Sequence, residues 1–314
     1  MNSVINNVKR SKSGFRIHKC VGVSPLGPDG NPILGFVPNL MHSKRKTSLR
    51  VGSRLGKYRI ERRLGVGGFA TVYAAFDTVL GIKVALKIPT PELVSEALLE
   101  EFRREARLTI QFDHPNILPI RDATFIDDHF VIITPLAERT LDDRLKKRMG
   151  FELAFDLLRQ LLDGVAYAHE HAVIHCDIKP ENVLMFDDNH IRLADFGIAK
   201  AAQKTISGSG TGTIGYMAPE QAMGKPSTRS DVFSIGLIAY RFFSSKWPEY
   251  PFEWPLAGNA TLRRRAHGDL IAVIRKSLAI KPRQRYRDAG QMLSAFERTR
   301  TKAIRYARRH RATS

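Results

Sequence analysis

The stretch His175-Cys176-Asp177-Ile178-Lys179-Pro180-Glu181-Asn182 decides how this chain is read. It is too polar for a core strand and too dense in charge for a casual turn. Apolar runs pin it on both sides, Gly164-Val165-Ala166-Tyr167-Ala168 before it and Val183-Leu184-Met185-Phe186 after it. Charged loops held between buried elements are where binding and catalytic groups concentrate. Asp177, Lys179 and Asn182 need partners from other segments of the chain.

The chain has 314 residues, enough for one large domain or two smaller ones. Its 43% hydrophobic and 26% charged residues are ordinary for a folded globular protein. The net charge of +19 belongs mainly to the ends. Residues 1–57 carry eleven Lys and Arg against Asp29 alone, and residues 300–314 carry six with no acid. Such ends are either solvated extensions or electrostatic anchors for nucleic acid or an acidic partner. Neither shows a zinc site, a recognition-helix pattern or an aromatic stacking motif. The run Ser24-Pro25-Leu26-Gly27-Pro28-Asp29-Gly30-Asn31-Pro32 predicts turn and loop. Residues 1–57 therefore read as a largely disordered basic arm, and 300–314 as a basic tail. The cysteines, Cys20 in the arm and Cys176 in the charged loop, fit a reducing, cytoplasmic setting without a structural disulfide. No run of roughly 18 apolar residues suggests a membrane span, and the N-terminus lacks the apolar core of a secretory signal.

Between the ends the texture is regular. Leu64-Gly65-Val66-Gly67-Gly68-Phe69-Ala70-Thr71-Val72-Tyr73 reads as strand, glycine turn, strand. Amides of such a turn can close on phosphate oxygens because no side chain intervenes; a plain hairpin fits the same residues. Val84-Ala85-Leu86-Lys87 is an apolar strand ending in a lone Lys, and a buried charge needs an anion. Residues 92–111 set Leu98, Leu99, Phe102, Ala106 and Ile110 near one helix face, with Glu105 beside it. Glu105 is either exposed and paired with Arg104 or Arg107, or the partner of Lys87. Phe130-Val131-Ile132-Ile133 is a short buried strand, which Thr134-Pro135-Leu136 leaves. Residues 141–149 and 151–169 predict two helices, the second strongly amphipathic. Ile191-Arg192-Leu193-Ala194 runs into Asp195-Phe196-Gly197. After Thr205, Ser207, Ser209 and Thr211 comes Thr213-Ile214-Gly215-Tyr216-Met217-Ala218-Pro219-Glu220. Asp231-Val232-Phe233-Ser234-Ile235-Gly236 opens an apolar helix, and Lys281-Pro282-Arg283-Gln284-Arg285 follows later.

In order and spacing these motifs resemble the protein kinases across residues 58–299, most closely the soluble bacterial members of the eukaryotic-like (Hanks-type) serine/threonine kinases. The resemblance implies an α+β, two-lobe fold. An antiparallel-sheet N-lobe with one main helix would span 58–133, a hinge 134–137 and a mostly helical C-lobe 138–299. It implies transfer of the ATP γ-phosphate, with Mg²⁺, to Ser or Thr hydroxyls of proteins. Leu64, Gly65, Gly67, Gly68, Val72, Ala85, Lys87, Thr134, Leu136 and Leu184 would bind the nucleotide. Glu105 would pair with Lys87. Asp177 would accept the substrate proton, Lys179 would reach the transferring phosphate, and Asn182 and Asp195 would hold the metal. Lys179 and Thr213 are the Ser/Thr-kinase choices. Asp231 would brace the loop, Arg285 would pair with Glu220, and His175 would pack below Phe196 instead of acting as a base.

Two positions depart from the family pattern. Ala70 stands at the third glycine of the turn. Cys176 stands where Arg is usual. That Arg normally awaits neutralisation by a phosphorylated activation-loop residue, and Cys176 carries no such charge. Activity is therefore expected not to require phosphorylation of the Thr205–Thr211 segment, which remains a natural autophosphorylation substrate. The Cys176 thiol is either redox-sensitive or a buried inert group. Competing readings are a catalytically dead kinase-fold scaffold, a small-molecule phosphotransferase of related fold, and a nucleic-acid-associated regulator acting through the basic ends. The sequence shows no anchor or sensor segment, so control by a partner or by the tails is the expectation.

Overall fold

Alternation of apolar and polar side chains builds the first layer. The computed structural model describes residues 49–90, 95–196 and 214–311. Its six-stranded sheet comprises β1 (Arg54–Leu55), β2 (Tyr58–Val66), β3 (Ala70–Asp77), β4 (Ile82–Pro89), β5 (Asp122–Ile126) and β6 (His129–Pro135). They run in the order β1-β2-β3-β4-β6-β5, every neighbouring pair antiparallel. Tyr73, Val84, Leu86, Val131 and Ile133 cluster on one face. Helix α1 (Glu96–Thr109) covers the other, packing Leu99, Phe102 and Ala106 against Ala70, Phe130 and Ile132. Ser95 caps this helix, its side chain accepting from the Leu98 amide at 3.2 Å. Because successive strand residues point to opposite faces, Lys87 lies on the α1 side while Leu86 lies in the opposite cluster.

The second lobe is mostly helical. It holds α2 (Leu141–Leu145), α3 (Phe151–Glu170), α4 (Pro219–Ala222), α5 (Thr228–Ser244), α6 (Asn259–Arg265), α7 (Gly268–Ser277), α8 (Ala289–Glu297) and α9 (Arg300–Arg311). A small sheet, β7 (Arg139–Thr140), β8 (Val183–Met185) and β9 (Ile191–Leu193), flanks the charged loop. Helix α5 is buried from Ser230 through Tyr240. A helix apolar on all sides belongs at the centre of a core, and α3, α6, α7 and α8 surround it. Gly236 makes the α7 approach possible, since a Cβ there would collide with the Ser277 hydroxyl. Phe155 of α3 stacks on Phe296 of α8 at 4.1 Å. Among the described residues no helix is long and apolar enough to cross a membrane.

Both boundaries drawn from composition need correction. Residues 54–57 are not part of the arm. Arg54 and Leu55 pair with Arg59 and Tyr58 around a turn in which Gly56 has φ +52°, and Leu55 is 1% exposed. The Leu49 amide donates to the Tyr73 hydroxyl at 3.2 Å. Likewise 300–311 is a docked helix, not a tail. Ala303 is fully buried, the Tyr306 hydroxyl donates to the Arg263 carbonyl at 2.9 Å, and Lys302 meets Asp269 at 2.9 Å. Counting charges missed an apolar stripe one residue wide. The helix expected over 141–149 stops at Leu145, where the Arg144 guanidinium turns back onto the Lys147 and Arg148 carbonyls. The rest of the arm, residues 1–48, lies outside the described residues.

Gly236→Ala is expected to destabilise the protein by about 1–3 kcal/mol through overpacking against α7. Gly65→Ala, where an added Cβ meets open space, should leave the denaturation midpoint nearly unchanged. Equal effects of the two in chemical denaturation would contradict this account of the core.

Candidate active site

The charged loop hangs from one buried carboxylate. Asp231, in the first turn of α5, is 1% exposed. It accepts from the His175 amide at 2.8 Å, the Cys176 amide at 2.9 Å and His169 Nε2 at 2.9 Å. The Ala289 amide donates to His169 Nδ1 at 3.1 Å. That places the imidazole hydrogen on Nε2, facing Asp231. Cys176 sits in the left-handed region, φ +66°, which a non-glycine residue adopts at a cost of roughly 1–3 kcal/mol. Asp231 holds it there, and Gln221 donates to the Cys176 carbonyl from the other side. Cys176 is itself buried.

His175 is buried with both ring nitrogens in use. The Asp177 amide donates to Nδ1 at 3.1 Å, and Nε2 donates to the Ala194 carbonyl at 2.9 Å. Its ring lies 4.7 Å from that of Phe196, which meets Phe112 at 5.3 Å. His175 thus has no nitrogen left to take a proton from a substrate; it anchors the loop to the segment that ends in Asp195.

Asp177 emerges from the turn partly exposed. Its Oδ2 accepts from Lys179 Nζ at 2.8 Å and from Asn182 Nδ2 at 2.9 Å. Asn182 Nδ2 also reaches the Asp177 carbonyl at 2.9 Å. Across the cleft, Lys87 Nζ donates to Glu105 Oε1 at 3.0 Å and to Asp195 Oδ1 at 2.7 Å. Burial would pull the Lys87 ammonium down, but Asp195 and Glu105 together hold it above its ordinary value. Burial pushes the Glu105 carboxyl up to about 7, with Lys87 opposing and Asp195 adding to the rise. Asp195 is held below the usual carboxylate range; burial works against this, and Lys87 overcomes it. One cation between two carboxylates cannot fully satisfy both, and the more deeply buried Glu105 is the one left short.

These groups edge a cleft of about 350 Å³ between the lobes. Of the expected nucleotide contacts, Leu64, Gly65, Val72, Ala85, Lys87, Thr134, Leu136 and Leu184 line it, and so do Glu105, Asn182 and Asp195. Gly67 and Gly68 do not; the Gly67 amide closes the hairpin onto the Ala70 carbonyl at 2.8 Å. Asp177 and Lys179 also stand outside the lining, beside Asn182. Asn182 and Asp195 offer an amide oxygen and a carboxylate, the oxygen donors that Mg²⁺ takes. Among the described residues no group of three or more His, Cys, Asp or Glu could hold a metal. Gly197, Thr205, Ser207, Ser209, Thr211 and Thr213 lie outside the described residues.

Several contributors were not singled out from the sequence. Thr109 and Glu181 line the cleft; Thr109 is one turn beyond Glu105 on the same helix face. Asn116 donates to Gln160 at 3.1 Å and to the Ile191 carbonyl at 2.9 Å, fixing β9 just ahead of Asp195. A glutamine inside the leucine stripe of α3 was the available signal. The pairing that the resemblance implied for Arg285 is present: its fully buried side chain forks onto Glu220 at 2.7 and 3.0 Å.

The protein kinase domain profile matches residues 58–294. The chain belongs to the protein kinase family. It is 30% identical over 267 residues to a probable serine/threonine-protein kinase of Clostridium acetobutylicum, covering 79% of this chain and 40% of that one. It is 34% identical to the serine/threonine-protein kinase PrkC of Bacillus subtilis, over 63% of this chain and 32% of PrkC. PknA of Mycobacterium tuberculosis is 36% identical, over 64% of this chain and 50% of PknA. The chain thus spans half or less of the length of these relatives. Among solved structures, the kinase domain of M. tuberculosis PknI superposes with a TM-score of 0.64 at 22% identity, covering 80% of this chain and 98% of that one. PpkA-294 in its apo form gives 0.68 at 22% identity, covering 80% and 99%. At that identity the likeness concerns the fold, which is the two-lobe kinase fold.

Asp231→Ala leaves two buried amides without an acceptor, and it should cost roughly 2–5 kcal/mol in chemical denaturation. A loss below that of an ordinary surface substitution would remove Asp231 from its place as the brace. Glu105, raised above its unfolded value, contributes stability that is fully present at low pH and lost as pH rises through about 7. Between about pH 5 and 8 the metal-free protein should lose stability relative to Glu105→Gln, which cannot ionise. A stability difference between the two that stays constant with pH would refute the shift.

Proposed function

We propose that this kinase transfers the γ-phosphate of ATP to serine and threonine hydroxyls of proteins. The observation that carries the reading is convergence. Lys87, Glu105, Asn182 and Asp195 meet at one interlobe cleft, with Asp177 and Lys179 hydrogen-bonded to Asn182 or to each other at its edge. A scaffold without activity would have no need to hold all six.

Phosphoryl transfer depends mainly on positioning and on neutralising charge. Lys87 offers its ammonium to phosphate oxygens, and Glu105 keeps it aimed into the cleft. Asp177 presents a carboxylate oriented by Lys179 and Asn182, placed to align an incoming hydroxyl and take its proton. Lys179 lies two residues from Asp177 on the same turn, and its long stem can follow the transferring group. Mg²⁺, held by Asn182 and Asp195, would supply charge neutralisation on the phosphates. Protein substrates, autophosphorylation of Thr205, Ser207, Ser209 or Thr211, and residence in a reducing cytoplasm belong to the same proposal. The buried Cys176 supports activity that does not wait for loop phosphorylation, since no arginine charge stands there to be neutralised. An association with nucleic acid is left little support by the C-terminal basic segment, because Lys302 and Arg308 already pair with Asp269 and Glu152.

Incubation with labelled ATP, Mg²⁺ and a basic protein substrate should give phosphoserine or phosphothreonine, and Asp177→Asn should lower the rate by about 10²–10⁴-fold. No labelled product above that of the mutant overturns the enzyme reading; phosphotyrosine alone overturns the Ser/Thr assignment. Joint replacement of Thr205, Ser207, Ser209 and Thr211 by Ala should preserve activity towards the added substrate. Loss of that activity in a folded quadruple variant, judged by an unchanged circular-dichroism melt, contradicts independence from loop phosphorylation.

A further inference from the structure

Away from the interlobe cleft, a second cavity of about 820 Å³ opens in the helical lobe, where the turn before α3, the end of α5, α6 and α9 meet. Arg148, Arg264 and Arg265 line it, and among the described residues none of the three is ion-paired with a carboxylate. Glu152 is the one carboxylate in the lining, and Arg308 takes it at 2.8 Å. Arg265 is fixed by neutral oxygens: its NH2 donates to the Met149 carbonyl at 2.8 Å, and its NH1 donates to Ser245 Oγ at 3.3 Å. Burial, then Arg148 and Arg264, hold its guanidinium below the usual value. A half-buried guanidinium beside two like charges is unfavourable until an anion arrives. Arg265 NH1 also donates to the Phe242 carbonyl at 3.4 Å, so the guanidiniums open to turn onto a phosphate oxygen pair are those of the exposed Arg148 and Arg264, with Arg265 adding charge behind them.

The rest of the lining selects among anions. Met149, Phe151 and Leu153 are partly buried and give the cavity an apolar side. The Phe151 ring is engaged by Phe243 at 5.1 Å and by Phe155 at 6.2 Å, so it offers little platform for stacking bases. None of the large exposed apolar side chains among the described residues lines the cavity, so nothing there would insert into lipid. A concave site with arginines on one side and aliphatic floor on the other fits a phosphorylated side chain carried by a peptide with apolar neighbours.

We propose that this cavity binds a phosphoserine- or phosphothreonine-bearing peptide, its phosphate among Arg148, Arg264 and Arg265 and its adjoining side chains over Met149 and Leu153. The choice of a phosphopeptide rests on the Ser/Thr transfer reading, because that reaction makes such groups; occupancy of the cavity does not require transfer. The site would then retain phosphorylated protein on the helical lobe while the interlobe cleft stays open.

The test is fluorescence anisotropy of the full chain with a short synthetic peptide containing one phosphothreonine between apolar residues. Synthetic peptide keeps the result separate from any failure of kinase activity. The phosphopeptide should bind at least about tenfold more tightly than its unphosphorylated form. The exposed pair Arg148→Gln with Arg264→Gln should weaken it by about tenfold or more, while ATP-dependent labelling of a protein substrate is unchanged. Inorganic phosphate should compete only at far higher concentration. Phosphate-independent binding, or equal binding by the double variant, overturns the proposal. A single-stranded oligonucleotide or an anionic lipid vesicle that binds more tightly than the phosphopeptide, and loses affinity in the double variant, overturns the peptide as occupant. Competition by inorganic phosphate at the same concentration as the phosphopeptide does so as well.

Discussion

The carboxylate of Asp231 is the constraint on which the site depends. Two adjacent amides, His175 and Cys176, point into the core at a turn where no strand or helix can receive them. Buried amides must find an acceptor, and an ionised oxygen is a strong one. Asp231 is available there because α5 is sheathed on every side and cannot rotate away. His169 and, through it, the start of α8 complete the assembly. The left-handed φ of Cys176 follows from this clamp, and that φ sets the direction in which Asp177 leaves the turn.

Charge balance in the cleft is the second constraint. Lys87 is shared by Glu105 from α1 and Asp195 from the end of β9. The sharing couples a strand, a helix and a loop drawn from both lobes. It leaves one negative charge in excess, which is why burial prevails at Glu105 while Asp195 stays ionised. An aromatic column of Phe112, Phe196 and His175 runs behind these groups and ties them to the charged turn. The cleft is therefore set by packing as much as by charge.

Much of this was legible in the sequence because it repeats local rules. Strand alternation put Lys87 opposite Leu86, and helical spacing put Glu105 beside Phe102 and Ala106; that these two pair was implied by the resemblance to the kinases. The ends were misread for a physical reason. Lys and Arg dominate residues 300–314, yet Ala303 and Tyr306, three apart on one face, dock the helix while the charged stems stay outside. Residues 54–57 looked like arm because a two-residue strand has no period to detect. Gln160 is polar within the leucine stripe of α3 and Asn116 follows a polar Asp113-His114 pair, and only their meeting explains the role of each.

By itself, the sequence determined which chemical groups this chain possesses and the order in which they occur: a lysine on a strand, a glutamate on a helix, then Asp177, Asn182, Asp195 and Glu220. These follow from residue type and spacing along the chain. Tertiary structure alone decided which of them touch. Lys87 and Asp195 are 108 positions apart, His175 keeps its ring nitrogens for Asp177 and Ala194, and Arg148 and Arg265 share a cavity although 117 residues separate them. The physical reason is that ion pairing, tautomer and desolvation depend on distance through space, which packing around α5 sets and local pattern does not carry.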